Sequence, residues 1–148
     1  MALRAICYTS QLLPGLGWDK LDNLVQDAAE FNITAGVTGL LLFDGSNVLQ
    51  YLEGPEDGVR IAYSRIVGST SHMDIVELGR GIVGRRNFPY WSMRALPAEL
   101  EEIRGAKKLD WRTFVMRSTI SPDDQLHGIE ALARIVIPHV HQPQGQLS

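Results

Sequence analysis

The chain has 148 residues, 45% of them apolar and 21% charged, with a formal net charge of −3; this is the profile of one globular domain with a short appendage, without a membrane span. So small a negative charge offers no long-range attraction for a phosphate backbone, and direct nucleic-acid binding is not expected. One cysteine, Cys7, excludes an internal disulfide and the usual zinc site, and the absence of a secretory leader makes the cytoplasm the expected address.

Leu3 to Thr9 alternates and favours a strand, with Arg4, Ile6 and Tyr8 on one face. Leu13-Pro14-Gly15-Leu16-Gly17 ends it. From Trp18 to Phe31, Leu21, Leu24, Val25, Ala28 and Ala29 recur at the spacing of one helical face, and Asp19 and Asp22 suit the positive end of the helix dipole. Val37 to Phe43 and Val48 to Leu52 are strand-length apolar runs joined through Asp44-Gly45, a dipeptide that favours a tight hairpin. Val59, Ala62, Tyr63, Ile66 and Val67 predict a second amphipathic helix ending near Gly68, and Asp74 to Val83 and Tyr90 to Leu96 predict two further strands.

The order βαββαββ is that of an α+β ferredoxin-like domain, with two helices on one face of the sheet. In that topology the first and third strands lie side by side in the centre, which makes Tyr8 and Gln50 neighbours. Gln50 is the anomaly of its strand. It places a carboxamide among Val48, Leu49, Tyr51 and Leu52, and an unpaired buried amide costs about 1–3 kcal/mol. A polar ligand would supply partners, and a half-turn of the amide would exchange donor for acceptor.

Beyond Pro97 the sequence is charged and weakly periodic over Glu99 to Leu109, where Gly105 weakens any helix. Ser121-Pro122-Asp123-Asp124 carries helix-start signals, followed by Leu126, Ile129, Leu132, Ala133, Val136 and Ile137 until Pro138. That apolar face predicts burial against the open side of the sheet or a second copy of the chain. The polar tail from His139 to Ser148 is expected to be mobile.

Gly79-Arg80-Gly81-Ile82-Val83-Gly84 has the letters of the dinucleotide fingerprint, but the helix that should follow is missing, so the glycines are read as serving a tightly packed strand. His139 and His141 have no third ligand at metal spacing, and no metal is expected.

Taken together, these residues resemble the BLUF family of flavin-using blue-light sensors. The matching stretches are Tyr8-Thr9-Ser10, Asn32, Gly36-Val37-Thr38-Gly39-Leu40-Leu41, Leu49 to Gly54, Arg65-Ile66-Val67 and Arg86-Asn87-Phe88-Pro89-Tyr90-Trp91-Ser92-Met93. They run in unbroken order across roughly residues 3 to 96. The resemblance implies a non-covalent flavin, FAD or FMN, between the two amphipathic helices. Leu24 and Ile66 match flanking positions, Asn32 matches a residue bonded to the ring's pyrimidine edge, and Arg65 and His72 fall where the phosphate-bearing tail emerges. Tyr8 and Gln50 match the family's photoactive pair, in which an electron leaves the tyrosine and a proton moves through the glutamine, leaving that amide rotated or tautomerised. Ser10, Trp91 and Met93 match positions around Gln50. Phe31 and Leu24 depart from the family's frequent residues.

The expected organisation is a sensor over residues 1–97, a helical extension over 98–137 and a tail over 138–148. With no output enzyme in the chain, the expected function is photosensory signalling through a protein partner or through a homo-oligomer, with no membrane or nucleic-acid contact. The alternatives are a flavin-dependent oxidoreductase, which would need an acid or base beyond His72, and a light-insensitive interaction domain of the same fold. An RNA-recognition module shares the element order, but its aromatic, basic strand motif is missing.

Overall fold

A computed structural model describes residues 2–141 of the chain. Its first unit is β1 (Leu3–Leu12), α1 (Trp18–Ala35), β2 (Thr38–Phe43), β3 (Asn47–Pro55), α2 (Glu56–Val67) and β4 (His72–Val83). A short β5 (Ala95–Pro97) follows, then α3 (Leu100–Lys107), α4 (Gly128–Val136) and a 3-10 turn over Ile137–His139. The sheet order is β4-β1-β3-β2-β5. The pairings among the first four strands are antiparallel, whereas β5 lies parallel to β2. This is the expected α+β arrangement, with β1 and β3 central and one strand added beside β2.

Strand alternation divides the core into two layers. Ile6, Leu12, Leu41, Val48 and Leu52 pack under α1 and α2, together with Leu21, Val25, Val59 and Ala62 of those helices. Ala5, Cys7, Leu40, Leu49 and Tyr51 face the other way and meet Ile103, Trp111, Phe114, Ile129, Leu132 and Val136. The carboxy-terminal apolar face therefore covers the open side of the chain's own sheet, the first of the two placements its sequence allowed.

Three predicted elements differ in detail. The first helix continues past Phe31 to Ala35 and ends at Gly36, whose φ of 74° is left-handed and whose N–H meets the Asn32 and Ile33 carbonyls. Exposed Ile33 and the polar residues beside it hid that last turn from the apolar pattern. The strand expected over Tyr90 to Leu96 shrinks to Ala95–Pro97. In a strand, residues two apart share a face, yet Trp91 packs in the layer with Tyr51 while Met93 packs in the layer with Leu41; the segment must therefore turn between them.

The helix expected from Ser121 begins instead at Gly128. Asp124 N–H bonds back to the Ser121 carbonyl in a turn, and the real helix start is a capping box in which Glu130 accepts from the His127 N–H at 2.8 Å. Gly128 fixes this position by close packing, since a Cβ there would lie 2.2 Å from the Trp111 ring. Gly105 is tolerated inside α3. The expected mobile tail lies outside the described residues from 142 onward.

Candidate functional site

Gln50 lies opposite Tyr8 in the β1–β3 ladder, both on the face covered by α1 and α2. The Tyr8 hydroxyl donates to Gln50 Oε1. Both side chains are buried, at 0% and 6% exposure, and burial pushes the Tyr8 phenol well above its ordinary pKa, with smaller contributions from Tyr63 and Cys7. The phenol is therefore held protonated. On the other side of the amide, Gln50 Nε2 points to Met93 Sδ at 3.7 Å, a weak acceptor. One end of the amide is thus firmly engaged and the other only softly.

Gln50 and Met93 line a cleft of about 220 Å3 between α1 and α2. Its walls are largely apolar, with Leu24, Val25, Ala28 and Phe31 from α1 and Ala62 and Ile66 from α2. Asn32, Arg65 and His72 are among its polar lining residues, together with Asp27, Ser69 and Ser71. Asn32 is 2% exposed, and its Nδ2 donates to the Ser92 carbonyl at 2.8 Å, so it also holds the segment that carries Met93. Arg65 lies over the Phe31 ring at 4.1 Å, a cation–π contact that gives this phenylalanine a partner.

His72 turns inward. Its Nε2 lies 2.8 Å from the Ile66 carbonyl and its Nδ1 lies 3.0 Å from Ser10 Oγ. A carbonyl only accepts, so Nε2 carries the proton, and in the neutral ring Nδ1 accepts from the Ser10 hydroxyl. His72 thereby pins β4 to β1 and to the end of α2, with both ring nitrogens engaged.

The structure does not bring Trp91 to Gln50. Its ring packs on the opposite face with Tyr51 and Phe88, under Arg94 at 4.9 Å. Buried Arg94 in turn donates to the His139 carbonyl at 3.3 Å, which joins this segment to the carboxy-terminal turn. Among the described residues, no group of three or more His, Cys, Asp and Glu side chains is placed to hold a metal ion.

Sequence reasoning gave no role to two residues of the site, although Glu53 stood in a matching family stretch and Tyr63 on the second helix. Glu53 is fully buried, and its carboxylate accepts from the Tyr51 hydroxyl at 2.7 Å, the Asn87 N–H at 2.9 Å and the Phe88 N–H at 2.7 Å. Beside it Arg86 donates to the Gly36 and Glu53 carbonyls and to Thr38. This cluster anchors the loop leading to Met93. The signal was available: Glu53 is a charged residue in the same apolar run as Gln50. Tyr63 is the other, its ring meeting Tyr8 edge-on at 5.4 Å.

Residues 3–94 match the family model described as BLUF, "Sensors of blue-light using FAD". Over 100 residues the chain is 34% identical to the "Blue light- and temperature-regulated antirepressor BluF" of Escherichia coli, a match covering 68% of this chain and 25% of that protein. Among solved structures it is similar to "BlrP1 BLUF", with 30% identity, a TM-score of 0.63 and coverage of 95% of this chain and 91% of that one. It is also similar to "Klebsiella pneumoniae BlrP1 with FMN and cyclic diGMP, no metal ions", with 38% identity, a TM-score of 0.60 and coverage of 64% and 26%. The chain therefore spans about a quarter of the curated antirepressor's length. With more than half of its residues inside the family model and the same sheet and helices around the cleft, the chain belongs to the BLUF family of flavin-using blue-light sensors.

Proposed function

We propose that the chain is a blue-light receptor in which Tyr8 and Gln50 convert absorption by a flavin in the α1–α2 cleft into a changed hydrogen-bond pattern. The observation that carries this reading is the Tyr8–Gln50 hydrogen bond at the floor of that cleft. The residues present fit a flavin ring. A cleft of about 220 Å3 is smaller than the roughly 300–1,000 Å3 typical of whole-ligand pockets; it suits a flat ring entering edge-on, with the polar tail outside near Arg65. Asn32 and the lightly engaged Gln50 Nε2 are the polar groups available to the ring's edge. FAD is the flavin in the family's description, and FMN accompanies a structural relative, so both are candidates.

A bound flavin would supply the blue-light absorption and an electron-accepting excited state. Tyr8 would be the electron donor, and its phenolic proton would pass to Gln50 Oε1 along the existing hydrogen bond. Once Tyr8 has regained its electron and that same proton, the amide would be left rotated; if Oε1 instead keeps the phenolic proton and Nε2 gives up the one that returns to Tyr8, it would be left tautomerised. Rotation would turn Nε2 toward the tyrosine oxygen and Oε1 toward Met93. A thioether sulfur cannot donate, so Oε1 loses a partner there unless the ring provides one, and the rotated state reverts thermally. The apolar walls keep competing water away.

Residues 1–97 form the sensor in this reading, and residues 98–137 are the layer that reports its state. Met93 touches Gln50, while its neighbours Ser92 and Arg94 are tied to α1 and to the carboxy-terminal turn. A protein partner, as for an antirepressor, or a second copy of the chain would receive the signal. The test is spectroscopic. Purified protein supplied with FAD or FMN should bind flavin and show a small, reversible red shift after blue light; a protein that takes up neither flavin, or binds one without any reversible shift, refutes the proposal.

A further inference from the structure

A second cleft, of about 170 Å3, lies on the other side of α2 and shares no lining residue with the first. Its floor is the start of β1 and the end of β4, and its wall is the α2 face carrying Arg60, Tyr63 and Ser64. Arg4 and Arg80 complete a border of three arginines. The carboxylate in that lining, Glu56, approaches Arg4 only to 4.0 Å, with both side chains well exposed, and such a pair is weak in water. Arg80 is paired fork to fork with the Glu77 carboxylate, its Nε donating to Oε2 at 2.9 Å and a terminal nitrogen to Oε1, so an incoming anion competes with Glu77 for this guanidinium. Among the described residues the Arg60 guanidinium makes neither an ion pair nor a hydrogen bond.

Three guanidinium groups therefore border one small concavity in a chain whose net charge is −3. A guanidinium presents a rigid fork of donors that matches carboxylate and phosphate oxygens. At ~30 Å3 per water, the cleft of about 170 Å3 has room for a small solute. We propose that this cleft binds a small free polyanion of the diphosphate or polycarboxylate class, held by Arg4, Arg60 and Arg80. An extended polyanion or a membrane surface would need basic charge spread over a face, and here it is gathered into one hollow with Glu56 at its edge.

The cleft also reaches the photoactive pair. Tyr63 borders it, meets the Tyr8 ring at 5.4 Å and lies under the Arg80 guanidinium at 5.8 Å. An anion that draws Arg80 away alters the packing behind Tyr8. This consequence rests on the proposed function; the binding does not.

The experiment is calorimetric titration of the full chain, flavin-free and flavin-loaded, with sodium pyrophosphate at constant ionic strength. Saturable one-to-one binding is expected in both forms, about tenfold weaker in Arg60→Ala and Arg80→Ala and unchanged in Arg104→Ala, an exposed position on α3. Arg60→Lys, which keeps the charge but not the fork, should fall between. No saturation, or equal affinity in all variants, overturns the proposal, as does co-sedimentation with anionic-lipid vesicles that pyrophosphate fails to reverse. Because the flavin-free arm needs no photochemistry, failure of the photoreceptor reading leaves it intact. In the loaded protein, pyrophosphate should change the dark-recovery rate severalfold in the wild type and not in Tyr63→Ala; an unchanged wild-type rate overturns the coupling to Tyr8.

Discussion

At the scale of single residues, the site rests on polar groups placed where burial would otherwise forbid them. Gln50 is stable in its apolar strand because the Tyr8 hydroxyl satisfies its oxygen, and the softer contact to Met93 leaves its nitrogen free to choose a better acceptor. Replacing Gln50 with Leu should remove the reversible red shift while leaving flavin uptake in place, because the apolar walls that hold the ring are untouched; binding and difference spectra of the same sample check both. Glu53 is the larger structural risk. Glu53→Ala strands the Asn87 and Phe88 N–H groups in the interior and leaves the Tyr51 hydroxyl proton without its acceptor, although that oxygen still accepts from Asn87 Nδ2; at about 1–3 kcal/mol for a stranded group, unfolding in urea should show a loss of at least ~2 kcal/mol. Gln50 was legible as an oddity in sequence, and the family resemblance named its partner. Glu53 stood in the same family stretch without a role, because two of its partners come from a loop some thirty-five residues later, and no local pattern encodes such a meeting.

At the scale of elements, the long periodic segments were readable and the short or irregular ones were not. Apolar spacing located α1 and α2 and alternation located β1, while β3, buried on both faces, was located as an unbroken apolar run of strand length. The Trp91–Met93 segment alternates like a strand but sends its two large side chains to opposite layers, an outcome set by tertiary packing. Ser121-Pro122-Asp123-Asp124 has the letters of a helix start, yet α4 begins where Trp111 covers Gly128 and Glu130 closes the capping box.

Glu130 also receives Arg117, whose guanidinium donates to it at 2.6 Å and 2.9 Å. These bonds hold the carboxyl near pKa 2, below its ordinary 4.5. A lowered folded-state pKa means this contribution is complete above pH 4.5 and is lost as pH falls from there through 2. Acid titration of stability should therefore be shallower over that window in Arg117→Ala than in the wild type. Leu132, fully buried under the sheet, should cost about 2–5 kcal/mol when replaced by Ala, measured by urea unfolding.

At the scale of the molecule, one sheet carries two layers with different tasks. The α1–α2 layer is incomplete, since it encloses a cleft where a close-packed core would be solid; α3, α4, Trp111 and Phe114 pack as one cluster on the sheet's other face. Filling the cleft should stabilise the whole: flavin at about a hundred times its dissociation constant contributes ~2.7 kcal/mol, which for a chain of this size raises Tm by roughly 5–10 °C. The segment from Arg86 to Arg94 crosses between the layers. It is fixed to β3 by Glu53, to α1 by Asn32 and to the final turn by Arg94, so a change at Gln50 has a physical route through Met93 to the far side. In the proposed function, Tyr8 is where that route begins. The decisive measurement is the light-minus-dark absorption spectrum of flavin-loaded Tyr8→Phe beside the wild type. The expected result is full flavin binding with the reversible red shift abolished, whereas a normal shift in the variant would contradict the assignment of Tyr8 and Gln50 as the light-driven pair.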